Sequence, residues 1–229
     1  MSGPLAHSIL AIWLRPDPLL LARALESERT VASYRQLGDA DRRPRPAVER
    51  RRPGVLVMVL TQLVMVAIMT MTPVHMHDHG HGTAASGLVI AIHIGAMYLP
   101  SPLTGWLVDR YGSLMIAAAS GVALLAAGIV AAAAPDDSVA AFAVALALLG
   151  LGWNFGLVTG TAIITDAVPL AIRAKTQGLV DVSISIAGAA GGMASGLVVA
   201  VAGYPLLAVG GGILALAIVP AVVAAARSR

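Results

Sequence analysis

The stretch GVLVMVLTQLVMVAIMTMTPV, residues 54–74, contains no charged side chain and decides the class of fold. A helix rises about 1.5 Å per residue, so some 20 apolar residues cross the ~30 Å hydrocarbon layer of a bilayer. Five further apolar stretches follow, at about residues 85–107, 114–134, 139–165, 178–201 and 205–226. The sequence therefore predicts an all-α membrane protein with six transmembrane helices.

The gaps between these stretches differ in charge. All 15 Lys and Arg residues lie before residue 54, in the gaps after the second and fourth stretches, or at the C-terminal end. The other gaps, at residues 75–83, 135–138 and 202–204, contain none. Because cytoplasmic loops carry the excess of Lys and Arg, we expect a multi-pass protein of the cell membrane with both termini in the cytoplasm.

The composition excludes several classes of protein. Charged residues make up 12% of the chain, whereas soluble domains contain about a quarter. The net charge of +3 does not predict a nucleic-acid partner, since ten of the 15 basic residues share one segment, where they orient helices beside anionic lipid. The absence of cysteine excludes disulfides and thiolate metal sites. One lysine against 14 arginines, with abundant Ala and Gly, is typical of a GC-rich bacterial genome.

Residues 1–53 are predicted to be distinct from the six-helix unit of residues 54–229. The apolar residues 5–14 are too few to span and precede no cleavage site, so we interpret them as the end of a helix whose beginning is missing. The rest of the segment is predicted to be a basic cytoplasmic connector. Its portion at 38–53 is rich in Pro and Arg, and we expect it to be disordered.

Two stretches carry glycine at every fourth position: Gly152, Gly156 and Gly160 in the fourth, and Gly188, Gly192 and Gly196 in the fifth. Residues four apart share one helix face. Small residues at this spacing let two helix backbones approach closely in lipid. Both rows of glycine therefore predict close helix packing.

The gap after the second stretch reads Gly105-Trp106-Leu107-Val108-Asp109-Arg110-Tyr111-Gly112. We expect Gly105 to permit close packing, Asp109 to cap the next helix and Gly112 to adopt a positive φ. Arg110 would anchor the turn on the basic side. The octapeptide resembles the Gly-x-Leu-x-Asp-Arg-x-Gly signature of the major facilitator superfamily, although Ser113-Leu114-Met115 follows where that family usually has basic residues.

A second segment, Asp166-Ala167-Val168-Pro169 with Arg173 and Gln177-Gly178-Leu179, is similar to the loop between the fourth and fifth helices of a facilitator half. The resemblance covers residues 54–229 and implies the C-terminal half of such a protein, one bundle built of two three-helix repeats. It further implies a secondary transporter that moves a small molecule by alternating access without a cofactor. A second six-helix bundle, from another copy or a separate chain, would then be the partner.

Polar residues inside spans are costly in lipid and usually face protein or water. In the resembling family the first and fourth helices of each half line the substrate cavity, which points to Gln62, Asn154 and Thr161. The alternative for these residues is an interhelical hydrogen bond.

His93 and Asp181 are the candidates for proton coupling. The alternatives are a packing role for His93 and, for Asp181, an ion pair with a basic loop residue such as Arg110 or Arg173.

The gap after the first stretch contains Asp78 and four histidines, His75, His77, His79 and His81. Imidazole and carboxylate groups suit Zn²⁺, Ni²⁺ or Cu²⁺, and alternate residues of an extended loop would share a side. Against a metal site, the loop is short, contains glycine and has no second group of ligands in the sequence. A pH-sensitive rim and a simple polar loop are the alternatives.

No metalloprotease, nucleophile-elbow or phosphate-loop motif occurs in the chain, so we do not expect an enzyme. Two alternatives to a transporter stay open. One is a non-transporting six-helix membrane protein or partner subunit left by a truncated gene. The other is a metal-handling membrane protein that uses the histidines.

Overall fold

The computed structural model of the protein describes Arg23 and residues 47–227, and the predictions for residues 5–14 and the connector up to residue 46 lie outside this part. The described elements are all helices: α1 Ala47–Asp78, α2 Thr83–Tyr98, α3 Ser101–Tyr111, α4 Ser113–Ala133, α5 Val139–Ala167, α6 Leu170–Ala215 and α7 Ile218–Arg227. From residue 47 onward they belong to one compact unit. The all-α prediction is confirmed.

Five helical segments are long and apolar enough to cross a membrane. Four of them match the first four predicted spans, and α2 and α3 together form the second. The last segment, Leu170–Ala224, has 55 residues and covers the predicted fifth and sixth spans. It is interrupted at Gly203, whose φ of 80° and ψ of 165° are not helical.

Before Gly203, α6 runs parallel to α1. Gly191 lies against Leu63 of α1. One turn later, the hydroxyl of Ser195 is 3.2 Å from that of Thr70. Residue numbers therefore increase in the same direction along both helices.

After Gly203 the direction is reversed. The hydroxyl of Tyr204 lies 2.8 Å from that of Thr72. Further along α6, Gly211 lies against Val64, which is nearer the start of α1. The chain thus turns back at Gly203, so the predicted fifth and sixth spans are two antiparallel segments, and the gap of residues 202–204 is reduced to this single non-helical residue.

The two ends of the bundle differ in charge. Its loop-bearing ends are about 43 Å apart along α5, which has 29 residues. The described basic residues of the spans and short loops lie toward one end, at Arg51, Arg52, Arg110, Arg173 and Lys175. At the other end His75 contacts both Asp136 and Tyr204, so three connections meet there. The predicted separation of basic and non-basic gaps is therefore present in the fold.

One predicted boundary is wrong. Helix α1 already begins at Ala47, so the expected disorder does not extend over residues 47–53. Pro53 removes one main-chain donor without ending this helix. The second span is present as predicted and contains a break, since α2 ends at Tyr98 and Pro100 precedes α3.

The glycine row of α5 packs closely, as predicted. Side chains at Gly152, Gly156 and Gly160 would collide with Leu124, Thr61 and Met58 respectively. The prediction for the glycine row of α6 is confirmed only in part. Gly188 and Gly192 face α1, but a side chain at Gly196 would meet nothing within 4 Å. The closest approach of α6 to α1 is instead at Gly191, where a Cβ would lie 2.5 Å from the carbonyl oxygen of Leu63.

Candidate substrate-facing site

A hydrogen bond joins α1 and α5 at the middle of the bundle. The indole N–H of Trp153 donates to the side-chain oxygen of Gln62 over 2.7 Å. Trp153 is 14 residues from either end of α5 (153 − 139 and 167 − 153), which places it about 21 Å from each. The pair therefore lies midway along α5.

Gln62 retains polar capacity beyond this bond. Its side chain is half-buried, and its Nε2 has no hydrogen-bond partner in the described part of the chain. The Nε2 atom lies 3.2 Å from the position that a Cβ on Gly188 would take, so this glycine leaves room for the amide. Gln62 can therefore donate hydrogen bonds to a bound molecule.

An exposed aromatic ring completes the site. Tyr98, the last residue of α2, packs edge to face on Trp153 with ring centroids 5.8 Å apart, and it is 59% exposed. An amide donor beside two aromatic rings suits a flat organic molecule that carries a hydrogen-bond acceptor. The sequence analysis identified Gln62 but missed Trp153 and Tyr98. Both could have been recognised as aromatic side chains that carry a polar group inside a predicted span.

Asn154 is adjacent in sequence but serves another contact. It is 2% exposed, and its Oδ1 accepts a hydrogen bond from the hydroxyl of Thr104. Its Nδ2 donates over 2.8 Å to both the carbonyl of Met97 and the hydroxyl of Ser101. These partners flank the break between α2 and α3, so Asn154 holds the broken span. Thr161 is half-buried two turns further along α5, and the substrate-contact role of both residues stays a prediction.

The structural expectations for the Gly105–Gly112 motif are confirmed only in part. Gly112 has a φ of 87°, as expected. Asp109 does not cap α4, since α3 continues to Tyr111 and the N-cap, Gly112, has no side-chain cap. Gly105 does not mediate close packing among the described residues, because a Cβ there would meet nothing within 4 Å. Asp109 and Arg110 are both exposed.

Arg173 closes the end of α5. Its guanidinium donates to the carbonyls of Thr165, over 3.1 Å, and Val168, over 3.3 Å. Asp181 is exposed, and in the described residues it forms no ion pair with Arg173 or Arg110, so that expectation is wrong. The physical reason is distance: Asp181 is eight residues, about 12 Å, further along α6, whereas the orphan carbonyls of α5 lie next to Arg173.

His93 is fully buried between α2 and α5. Its Nδ1 lies 2.8 Å from the carbonyl oxygen of Leu146, and its Nε2 has no partner in the described residues. A side chain at Gly150 would lie 2.5 Å from the His93 carbonyl oxygen, so this glycine allows the close approach. A coupling role for His93 stays a prediction.

The histidines after the first span do not form the extended loop that we expected. Helix α1 continues through Asp78, which places His75 and His79 one turn apart on the same face. The carboxylate of Asp136 lies 3.4 Å from His75 Nε2 and 3.6 Å from His79 Nε2. The second ligand source that seemed absent is thus Asp136, whereas His77 is exposed and outside this cluster.

Known proteins resemble the chain along nearly all of its length. The family model described as Major Facilitator Superfamily matches residues 3–169 and 55–229. The Uncharacterized MFS-type transporter YddS of Bacillus subtilis is 51% identical over 97% of this chain and 52% of its own length. YdeG of the same organism, also named as an MFS-type transporter, is 53% identical over 96% of this chain and 51% of its own.

A third relative, the Riboflavin transporter RfnT of Brucella anthropi, is 41% identical over 42% of this chain and 24% of its own length. The chain thus spans about half the length of the two Bacillus relatives. No solved structure matches it significantly.

Proposed function

The chain belongs to the major facilitator superfamily, and we propose that it forms one six-helix half of a secondary transporter that moves a small molecule across the cell membrane. Five apolar helical segments, the last of which folds back at Gly203, support a facilitator half, and the two Bacillus relatives are about twice as long. The observation that carries the proposal is the Gln62–Trp153 pair at the middle of the bundle, the depth at which such transporters bind substrate. The proposed activity is transport and involves no catalysed reaction.

We propose that the end with Arg110 and Arg173 faces the cytoplasm. The support is the distribution of basic residues, because Lys and Arg are concentrated in cytoplasmic loops. Both ends of the six-helix unit would then lie inside. The basic, connector-like segment before residue 54 supports the C-terminal half of a facilitator.

We further propose a second six-helix bundle as the partner, supplied by another copy or a separate chain. A facilitator cavity lies between two bundles, and Tyr98 exposes most of its ring next to Trp153. A Cβ at Gly105 would meet no atom within 4 Å, so the surface around this residue at the basic end leaves room for another helix. The partner would cover both features and close the cavity.

The proposed substrate is a small organic molecule with a flat ring and a hydrogen-bond acceptor. The ring would pack against Tyr98 and Trp153, and the acceptor would receive a hydrogen bond from Gln62. Riboflavin has these features and is one solute to test, since the partly matching relative RfnT carries its name.

The test is transport by a reconstituted pair. The chain is co-expressed with the complementary half of YddS, co-purified and placed in liposomes with a pH gradient, and uptake of a panel of labelled aromatic solutes is measured. We expect uptake that falls at least tenfold with Gln62→Leu or Trp153→Phe, a loss of about 1.4 kcal/mol. Trp106→Phe is the matched control, because Trp106 is 56% exposed and lies outside the site. A stable pair that moves none of the solutes would refute the proposal.

A further inference from the structure

At the end of the bundle opposite the basic loops, His75, His79 and Asp136 bring three metal-ligating groups together. One ligand atom from each residue lies within 4.8 Å of the others. We propose that these residues form a binding site for a divalent transition-metal ion, with Zn²⁺ as the best match.

The separations between the ligand atoms suit such an ion. Zinc binds imidazole nitrogen and carboxylate oxygen at about 2.0–2.2 Å, so two ligands of a tetrahedral ion are about 3.3–3.6 Å apart. Asp136 Oδ1 lies 3.4 Å from His75 Nε2, and Asp136 Oδ2 lies 3.6 Å from His79 Nε2. The ligand atoms of the two histidines lie within 4.8 Å of each other, and the side chain of His79 is 37% exposed.

Each histidine is already oriented by a contact outside the site. The Nδ1 of His79 lies 2.7 Å from the carbonyl oxygen of His75, and donation by this nitrogen leaves the Nε2 lone pair for the metal. The ring of His75 is stacked on Tyr204 at 4.4 Å and meets the edge of Phe142 at 5.6 Å. Such outer contacts fix the direction of ligands in metal sites.

The surroundings also favour a cation. His75 lies in the last turn of α1 and His79 directly follows the helix, where the carbonyls of the helix end carry a partial negative charge. The loop that carries Asp136 is held in place by His81, whose Nε2 lies 2.7 Å from the Asp136 carbonyl oxygen. Asp136 is 64% exposed, so water can complete the coordination shell.

The ligand set selects the class of metal. Two imidazoles and one carboxylate are typical of zinc and neighbouring transition metals, whereas Mg²⁺ and Ca²⁺ prefer oxygen ligands throughout. A bound ion would tie the end of α1 to the connection between α4 and α5. This inference depends on the cluster alone, so it is independent of the transport proposal.

The experiment uses the full chain, purified in detergent with a tag that contains no histidine. Zn²⁺ binding is measured by calorimetry, and Co²⁺ is added as a spectroscopic probe because its visible absorption reports imidazole coordination. We expect one ion per chain and a higher unfolding temperature with Zn²⁺. His79→Gln and Asp136→Asn should each weaken binding at least ~10-fold, since even outer-shell changes cost 10- to 100-fold.

His77→Gln is the matched control, because His77 belongs to the same helix end but points away from the cluster. It should leave both Zn²⁺ affinity and the Co²⁺ spectrum unchanged. Unfolding temperatures without metal show whether each variant is folded, and both test positions are exposed. Equal losses in all three variants would indicate capture by a histidine-rich loop and overturn the proposal, as would the absence of stoichiometric binding to the unaltered chain.

Discussion

The side-chain amide of Asn154 in α5 donates a hydrogen bond of 2.8 Å to the main-chain carbonyl of Met97, just before the break in the second span. A helix end leaves carbonyls without internal partners, and in lipid no water is present to satisfy them. Asn154 satisfies one of these groups and also binds Thr104 on the far side of the break. A single amide therefore fastens α2 and α3 to α5.

The coupling between Asn154 and Thr104 is measurable. We expect Asn154→Ala to destabilise the bundle by about 1–3 kcal/mol, because buried partners lose their hydrogen bonds. A double-mutant cycle with Thr104→Val should give a coupling of about 1 kcal/mol, measured by denaturant unfolding in detergent. In the control cycle Thr161→Val replaces Thr104→Val, and its effect should be additive. Additivity in the Asn154–Thr104 cycle would contradict the assigned contact.

The apolar helices and the charge of each end follow from local properties of the sequence, and both were predicted. Apolar length sets where a helix crosses, and arginine content distinguishes the gaps. The partners of polar residues were not predictable in this way. Gln62 is recognisable as a lone amide in a span, but its bond to Trp153 joins residues 91 positions apart, and only the packing of α1 on α5 creates it.

The face that each helix presents to its neighbour was also not predictable from the sequence. In α6 both Gly191 and Gly192 are present, and the sequence alone favoured the row containing Gly192. In the packing against α1, Gly191 makes the closest approach, and Gly192 has a looser contact. The histidines were identified as candidate ligands, but their geometry was predicted wrongly for a related reason: α1 continues past its apolar part, so His75 and His79 have helical spacing where an extended loop was expected.

The packing of α6 on α1 predicts opposite effects for two glycines of the same helix. Gly191→Ala should destabilise the bundle by about 1–3 kcal/mol, because the new methyl group would lie 2.5 Å from the carbonyl oxygen of Leu63. Gly196→Ala meets nothing within 4 Å and should be neutral or stabilise by up to about 1 kcal/mol through higher helix propensity. Thermal unfolding of both variants in the same detergent tests this. Equal effects would show that α6 is rotated differently.

Two glycines of the Gly105–Gly112 motif distinguish the cost of an unfavourable backbone conformation from the cost of a steric clash. A Cβ would meet no atom within 4 Å at either Gly105 or Gly112, but Gly112 has a φ of 87° and a ψ of 148°. This region is nearly exclusive to glycine, so Gly112→Ala should cost about 1–3 kcal/mol. Gly105→Ala should cost little in the isolated chain. The comparison is made by denaturant unfolding, and a larger loss for Gly105→Ala would contradict the described turn.

The sidedness of the bundle can be tested by cysteine labelling, because the chain contains no cysteine. Asp137→Cys introduces an exposed thiol just before α5, and Ala174→Cys introduces one in the first turns of α6, beyond the other end of α5. Both variants leave every basic residue in place. With a membrane-impermeant maleimide, Asp137→Cys should label in intact spheroplasts, whereas Ala174→Cys should label only after permeabilisation. The physical reason is that arginine-rich loops stay in the cytoplasm, and α5, about 43 Å long, reaches across the bilayer. Reversed labelling would show the opposite orientation, and labelling of both thiols from one side would contradict a membrane-spanning α5.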